Sequence, residues 1–299
     1  MSDDPFPFPP DATREILDWT ERRIAEGPDP KHGAQAFAAL EPVLGGSITA
    51  DGIGADRAFG LFSDTIVPST RPFGHPTSLS FVASAPSRAA LSFDAALGAA
   101  GIFAGNWDGG AGAIHAENQA LRWIADLAGW PASAGGVFVA GGTLGNLSAL
   151  HAAREWHRRN RPGEERGAIL CSSEAHSSIK AVARVMDVEV ILVDADKTGR
   201  MSARAAAPHL TEAVFAIVAN GGATNCGAVD DIAGLADLAR DHGLWLHVDG
   251  AYGGAALADV TLGIPMQGAL LIVVPLAAII WRLWCSPGPA LGNLADLAP

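Results

Sequence analysis

The sequence predicts an α/β fold built on a mostly parallel sheet covered on both faces by helices, and two observations carry that expectation. Short, near-continuously apolar runs at residues 136–139, 168–171, 188–193, 214–219 and 244–248 alternate with segments of helical periodicity at 147–159, 177–186, 202–210 and 230–242. Strands that are apolar on both sides and alternate with helices belong to sheets buried on both faces. In addition, four of the apolar runs end in polar or glycine-containing segments, and the carboxyl ends of parallel strands are where such sheets place ligands.

In chain order, residues 11–26 set Ile16, Leu17, Trp19 and Ile24 at helical spacing, and Gly27 followed by Pro28 stops the run. Residues 27–76 contain Pro28, Pro30, Pro42, Pro68, Pro72 and Pro76, which predicts short helices joined by loops. Residues 1–75 are therefore expected to form an N-terminal helical arm. Helical runs near 86–101 and 112–129 lead into the alternating series, so residues 76–258 are expected to form one large domain. No internal repeat or low-complexity tract is present.

Residues 259–299 break the pattern as an aberrant apolar tail. The stretch 262–285 is apolar enough for a membrane span, although Pro265, Pro275 and Arg282 interrupt it and its flanks lack basic residues. Three readings stay open: a buried strand and helix, a membrane anchor, or sequence foreign to the fold.

Composition narrows the function classes. Hydrophobic residues make up 49% of the 299, enough for a large core, and Lys plus Arg number 20 against 32 Asp plus Glu, a net charge of -12. That balance argues against nucleic-acid binding and against attraction to anionic membranes, leaving a small soluble ligand as the expected partner. Cys171, Cys226 and Cys285 have no metal-type spacing and suit a reducing compartment. The acidic, proline-rich N-terminus has no secretory pattern, so a cytoplasmic protein is expected.

Four loops concentrate polar residues. Residues 140–146 (Ala-Gly-Gly-Thr-Leu-Gly-Asn) open a helix, and this is either a phosphate cradle of backbone N–H groups with the Thr143 hydroxyl or an ordinary glycine-rich turn. Residues 172–180 carry His176, with Ser172 or Ser173 as a plain helix cap in the simpler reading. Residues 220–227 carry Thr224. In the fourth, period-two geometry places His247 and Asp249 on one strand face, without the further ligands a metal needs. Together the loops describe a site with a phosphate anchor, a flat ring in His176, a hydroxyl in Thr224 and a carboxylate in Asp249. Pyridoxal 5'-phosphate, which has a phosphate and a protonatable ring nitrogen, fits that inventory.

The order of His75-Pro76, Asn106-Trp107, Glu117, Gly141-Gly142-Thr143, Ser173 to Ser178, Asp230-Asp231 and His247-Val248-Asp249 resembles the group II pyridoxal-phosphate-dependent amino-acid decarboxylases, over roughly two thirds of the chain. The resemblance implies the aspartate-aminotransferase fold type (fold type I), a homodimer, an amino-acid substrate and loss of its carboxylate as carbon dioxide. It further implies that Gly142 and Thr143 hold the cofactor phosphate, His176 stacks on its ring, Thr224 lies beside it and Ala251 packs against it. Asp249 would pair with the ring nitrogen and keep it protonated, and His75 would border the substrate.

The chain also departs from that family. Gly250 stands where members carry Ala. Members place the lysine of the internal Schiff base in a His-Lys dipeptide roughly thirty residues past the aspartate, whereas here that window holds Ile280-Trp281-Arg282-Leu283-Trp284 and the only lysines are Lys31, Lys180 and Lys197. Lys180, one turn after His176, is expected to face solvent or the helix surface. With the resemblance lost past about Ala258 and the family's C-terminal small domain missing, a truncated or frame-shifted gene product is expected. The functions this leaves are an impaired decarboxylase, a non-catalytic remnant that binds the cofactor weakly or only packs with other chains, and a membrane-tethered protein.

Overall fold

A computed structural model describes residues 8–78, 81, 86–160 and 167–255. The tail from residue 259 lies outside the described residues, as does the apolar stretch 262–285. The chain divides into two compact units between Gly101 and Ile102.

In the N-terminal unit, α1 (Pro10–Glu26) begins with proline in its first turn and ends at Gly27, whose φ of 78° only glycine adopts readily. Helix α2 (Phe37–Leu44) follows, and α3 (Ala55–Leu61) continues into a π-helical turn, Phe62–Ile66. Trp19 of α1 meets Phe59 and Phe62 edge to face at centroid distances of 5.9 and 5.4 Å, so an aromatic cluster joins these helices. Helix α4 (Arg88–Ala100) is capped by the Ser87 side chain and tied to α1 by Arg88 Nη2 donating to the Ala25 carbonyl at 2.7 Å. Much of this unit's apolar surface is uncovered: Phe37 is 77% exposed and Ile48 97%.

The second unit contains α5 (Trp107–Leu127), α6 (Gly142–Asn160), β1 (Ala168–Ser172), α7 (Ser177–Met186), β2 (Glu189–Val193), α8 (Ala203–Ala206), β3 (Val214–Asn220), α9 (Ile232–Asp241) and β4 (Trp245–Asp249). The four strands pair in parallel in the order β2-β1-β3-β4. Helices cover both faces. Leu150 and Ala153 of α6 with Ile179, Val182 and Met186 of α7 bury against Ile169, Cys171, Val218 and Trp245. On the other face Met201, Ala206, Leu235 and Ala239 bury against Leu170, Ile217 and Ala219. The chain leaves β1 toward β2 and then crosses back to β3, so the order reverses between β1 and β3, the point at which open parallel sheets bind ligands at their carboxyl ends.

Three expectations need correction. Residues 136–139 form no strand: they pair with none of the described strands, and the Phe138 amide instead donates to Glu117 Oε1 at 3.3 Å. Helix α6 starts at Gly142, not 147, so most of the glycine-rich loop is its first turn. Finally, the helix expected over 202–210 is α8 followed by a 3₁₀ turn, Ala207–His209, because Pro208 cannot donate the bond that would continue an α-helix.

Candidate active site

Strand β4 sets Trp245, His247 and Asp249 facing α6 and α7, and all three are buried. Asp249, at the strand's carboxyl end, would be costly to bury unpaired. Its Oδ1 accepts from the Ala251 amide at 3.2 Å, and its Oδ2 accepts from Asn146 Nδ2 at 3.0 Å. Asn146 sits one turn into α6 and is 1% exposed. The same Nδ2 donates to Ser178 Oγ at 2.9 Å, and Asn146 Oδ1 lies 2.8 Å from His247 Nε2.

Ser178 occupies the first turn of α7, and His176 is that helix's N-cap, its Nδ1 accepting from the Ser178 amide at 3.2 Å and lying 2.8 Å from Ser178 Oγ. The cap is therefore His176, not Ser172 or Ser173: Ser172 Oγ accepts from the Glu174 amide, and Ser173 Oγ from the Ala195 amide. Burial pushes His247 down to about 4, against the opposing pull of Asp249, so the ring is neutral at physiological pH. The Cys171 thiol, on the same sheet face, is pushed up to about 12 by burial and is no nucleophile.

The loop after β3 is clamped to the strand ends. Buried Asp230 accepts from the Asn220 amide at 2.6 Å and the Met201 amide at 2.7 Å, and burial raises its pKa against those bonds. The Gly221 amide donates to the Asp249 carbonyl at 2.8 Å. At Gly222, with φ of 111°, a Cβ would stand 2.9 Å from the Gly253 nitrogen, so the loops after β3 and β4 approach closely because both are glycine there.

A Cβ on Gly142 would meet the Ala251 Cβ at 3.6 Å. The amino end of α6 therefore lies against the loop that follows Asp249. Gly141 turns the chain into the helix with φ of 111°, and the first-turn amides of Gly142 and Thr143 have no carbonyl a turn earlier to bond. Exposed Thr143, oriented amides and a buried carboxylate a short loop away form a donor set that fits a phosphate at one end and a protonated ring nitrogen at the other.

The structure thus brings together Gly142, Ala251, Asp249 and, through Ser178 and Asn146, His176. Thr224 is exposed on the loop whose Gly222 and Gly227 pack beside Tyr252. His75 belongs to the N-terminal unit, where its Nδ1 bonds Thr77. Lys180 is exposed on α7. Among the described residues no cluster of His, Cys, Asp or Glu could hold a metal, and no helix is long and apolar enough to cross a membrane. Sequence reasoning did not single out Asn146 or Ser178. The available signal was a polar side chain within the first five residues of each of two consecutive helices.

Residues 55–262 match the pyridoxal-dependent decarboxylase conserved domain. The chain is 32% identical over 203 residues to an aromatic-L-amino-acid decarboxylase from Bacillus atrophaeus, covering 65% of this chain and 42% of that protein. It is 34% identical over 193 residues to an L-2,4-diaminobutyrate decarboxylase from Rhizobium meliloti, covering 62% and 39%. The chain thus spans about two fifths of the length of these curated relatives. Among solved structures, the glutamate decarboxylase domain of a Vibrio parahaemolyticus diaminobutyrate-pyruvate transaminase and L-2,4-diaminobutyrate decarboxylase superposes with a TM-score of 0.72 at 25% identity, over 88% of this chain and 61% of that one. Oryza sativa TDC with PLP and tryptamine shares the fold at a TM-score of 0.72 and 21% identity, over 84% and 58%.

Proposed function

Because the chain belongs to the pyridoxal-dependent decarboxylase family, we propose that residues 76–258 are the cofactor-binding large domain of an enzyme that converts an L-amino acid to an amine and carbon dioxide. The observation that carries the reading is the buried Asp249 carboxylate, held by Asn146 and the Ala251 amide beside the free first-turn amides of α6. In this proposal Gly142 and Thr143 bind the phosphate of pyridoxal 5'-phosphate through backbone N–H groups and a hydroxyl. Asp249 pairs with the ring nitrogen and holds a proton there, since a carboxylate in a low-dielectric setting favours the charged form of its partner. His176 covers the ring, Ala251 packs against it, and Thr224 lies beside it. When bound, the cofactor supplies a conjugated ring into which the electron pair left by departing carbon dioxide can spread.

Residues 250–299 contain no lysine, and of Lys31, Lys180 and Lys197 only Lys180 lies near His176 in sequence, where it is exposed. We therefore assign the chain a cofactor held by phosphate, ring and carboxylate contacts without a covalent tether, and impaired turnover. A second reading, a non-catalytic chain that binds the cofactor weakly or acts by packing with other chains, draws on the same missing lysine. The uncovered Phe37 and Ile48 support a homodimer, and the absence of paired cysteines among the described residues agrees with a cytoplasmic setting.

The test is titration of the full chain with pyridoxal phosphate, followed by borohydride and peptide mass mapping, alongside carbon dioxide release from a panel of amino acids. A saturable change in ring absorbance with no pyridoxylated lysine and slow carbon dioxide release is expected. Stoichiometric label on Lys180 would overturn the untethered assignment, and saturable binding with no release from any amino acid would favour the non-catalytic reading.

A further inference from the structure

We propose that Asn146 is the positioning residue of this site: its side-chain amide orders a hydrogen-bond chain of one polarity from His247 to His176 and, together with the backbone amide of Ser178, sets which nitrogen of His176 carries the proton. The role rests on the reading of Asp249 and His176 as cofactor-facing residues.

The polarity follows from donor and acceptor inventories. An ionised carboxylate only accepts, so the atom of Asn146 that stands 3.0 Å from Asp249 Oδ2 is the amide nitrogen. The reverse orientation would set two oxygens against each other in a buried site. Asn146 Oδ1 is then the atom 2.8 Å from His247 Nε2, which must carry a hydrogen to donate. The second hydrogen of Asn146 Nδ2 goes to Ser178 Oγ at 2.9 Å.

Having accepted there, the Ser178 hydroxyl has its own proton to give, and the acceptor in reach is His176 Nδ1 at 2.8 Å. That nitrogen also receives the Ser178 amide at 3.2 Å. With two donors aimed at it, Nδ1 cannot carry a proton, so the neutral ring holds it on Nε2. His176 thus presents an N–H rather than a lone pair on its far edge. The Asn146 amide thus holds the carboxylate of Asp249 and, through the Ser178 hydroxyl, directs the second of the two donors that set the tautomer of His176.

Long-range ¹⁵N–¹H correlation spectra of the cofactor-free full chain test this, with the His176 and His247 signals assigned by their loss in His176→Gln and His247→Gln. Both rings are expected as the Nε2–H tautomer in the wild type. In Asn146→Leu the Ser178 hydroxyl loses the N–H it accepts from and is free to accept from His176 instead, so the His176 tautomer equilibrium moves toward Nδ1–H by about fivefold, the factor that one neutral hydrogen bond is worth. Ser178→Ala, which leaves Asn146 and Asp249 in contact, is expected to shift His176 similarly without changing His247, and Ser178→Thr to restore it. A wild-type His176 that is Nδ1–H or mixed, or a His176 tautomer equilibrium unchanged in both Asn146→Leu and Ser178→Ala, overturns the proposal. A parallel fluorescence titration with pyridoxal phosphate separates the two claims: a fixed tautomer without cofactor binding sinks the functional reading, whereas binding with a mixed tautomer sinks the positioning role alone.

Discussion

Acidification is expected to weaken this fold through His247, and the size of the effect follows from where the ring sits. The unfolded chain takes up a proton on this imidazole below about pH 6.5, whereas burial defers that uptake to about 4 in the folded state. Between those values the unfolded state holds more protons, so stability falls as pH drops through the window and is unaffected by this group above it. At about 1.4 kcal/mol for each pH unit of the interval, the total is about 3 kcal/mol, most of it lost by about pH 4.5. Asp230, raised by burial, works in the opposite sense, gaining stability as pH falls, so a comparison with a variant is needed. His247→Gln keeps an N–H donor for Asn146 Oδ1 and cannot titrate. Urea unfolding of both proteins at several values between about pH 7 and about pH 4.5 is expected to show the wild type losing roughly 2 to 3 kcal/mol more than the variant. Parallel pH curves would refute the assignment of a buried, neutral His247 to the folded state.

Other outcomes follow from the same geometry. Gly222→Ala puts a methyl 2.9 Å from the Gly253 nitrogen at a φ of 111°, and is expected to cost about 1–3 kcal/mol, read as a lowered thermal midpoint. A thiol reagent on the native chain at neutral pH is expected to label exposed Cys226 and spare Cys171 until denaturant is added, as peptide mass mapping would show. Trp19→Ala removes the two edge-to-face contacts that join α1 to α3 and the π turn, and is expected to speed proteolytic nicking within the N-terminal unit.

What the sequence revealed, and what it did not, divides along physical lines. Apolar runs alternating with helices announced β1 to β4, most directly at β1 and β3, which are buried along their whole length and so write their burial into composition. Residues 136–139 carry the same signal and fail because a strand exists only as a pair, and the Phe138 amide finds Glu117 instead. The early start of α6 was hidden because glycine at 141, 142 and 145 is a poor helix former, and the contact of Gly142 with Ala251 is tertiary. Asp249 was legible as a carboxylate ending a buried strand. Asn146 and Ser178 were not, since each looks like an ordinary polar helix residue until α6 and α7 pack side by side on one face of the sheet.

In the proposed function the carboxyl end of β4 and the amino end of α6 form one pyridoxal phosphate site. Equilibrium titration of the full chain with pyridoxal phosphate, compared with Asp249→Ala, tests it most directly. Saturable binding at one site per chain is expected, weakened about tenfold or more in the variant, the scale of a lost charge-assisted hydrogen bond. Wild-type binding that fails to saturate, or equal affinity in Asp249→Ala, would contradict it.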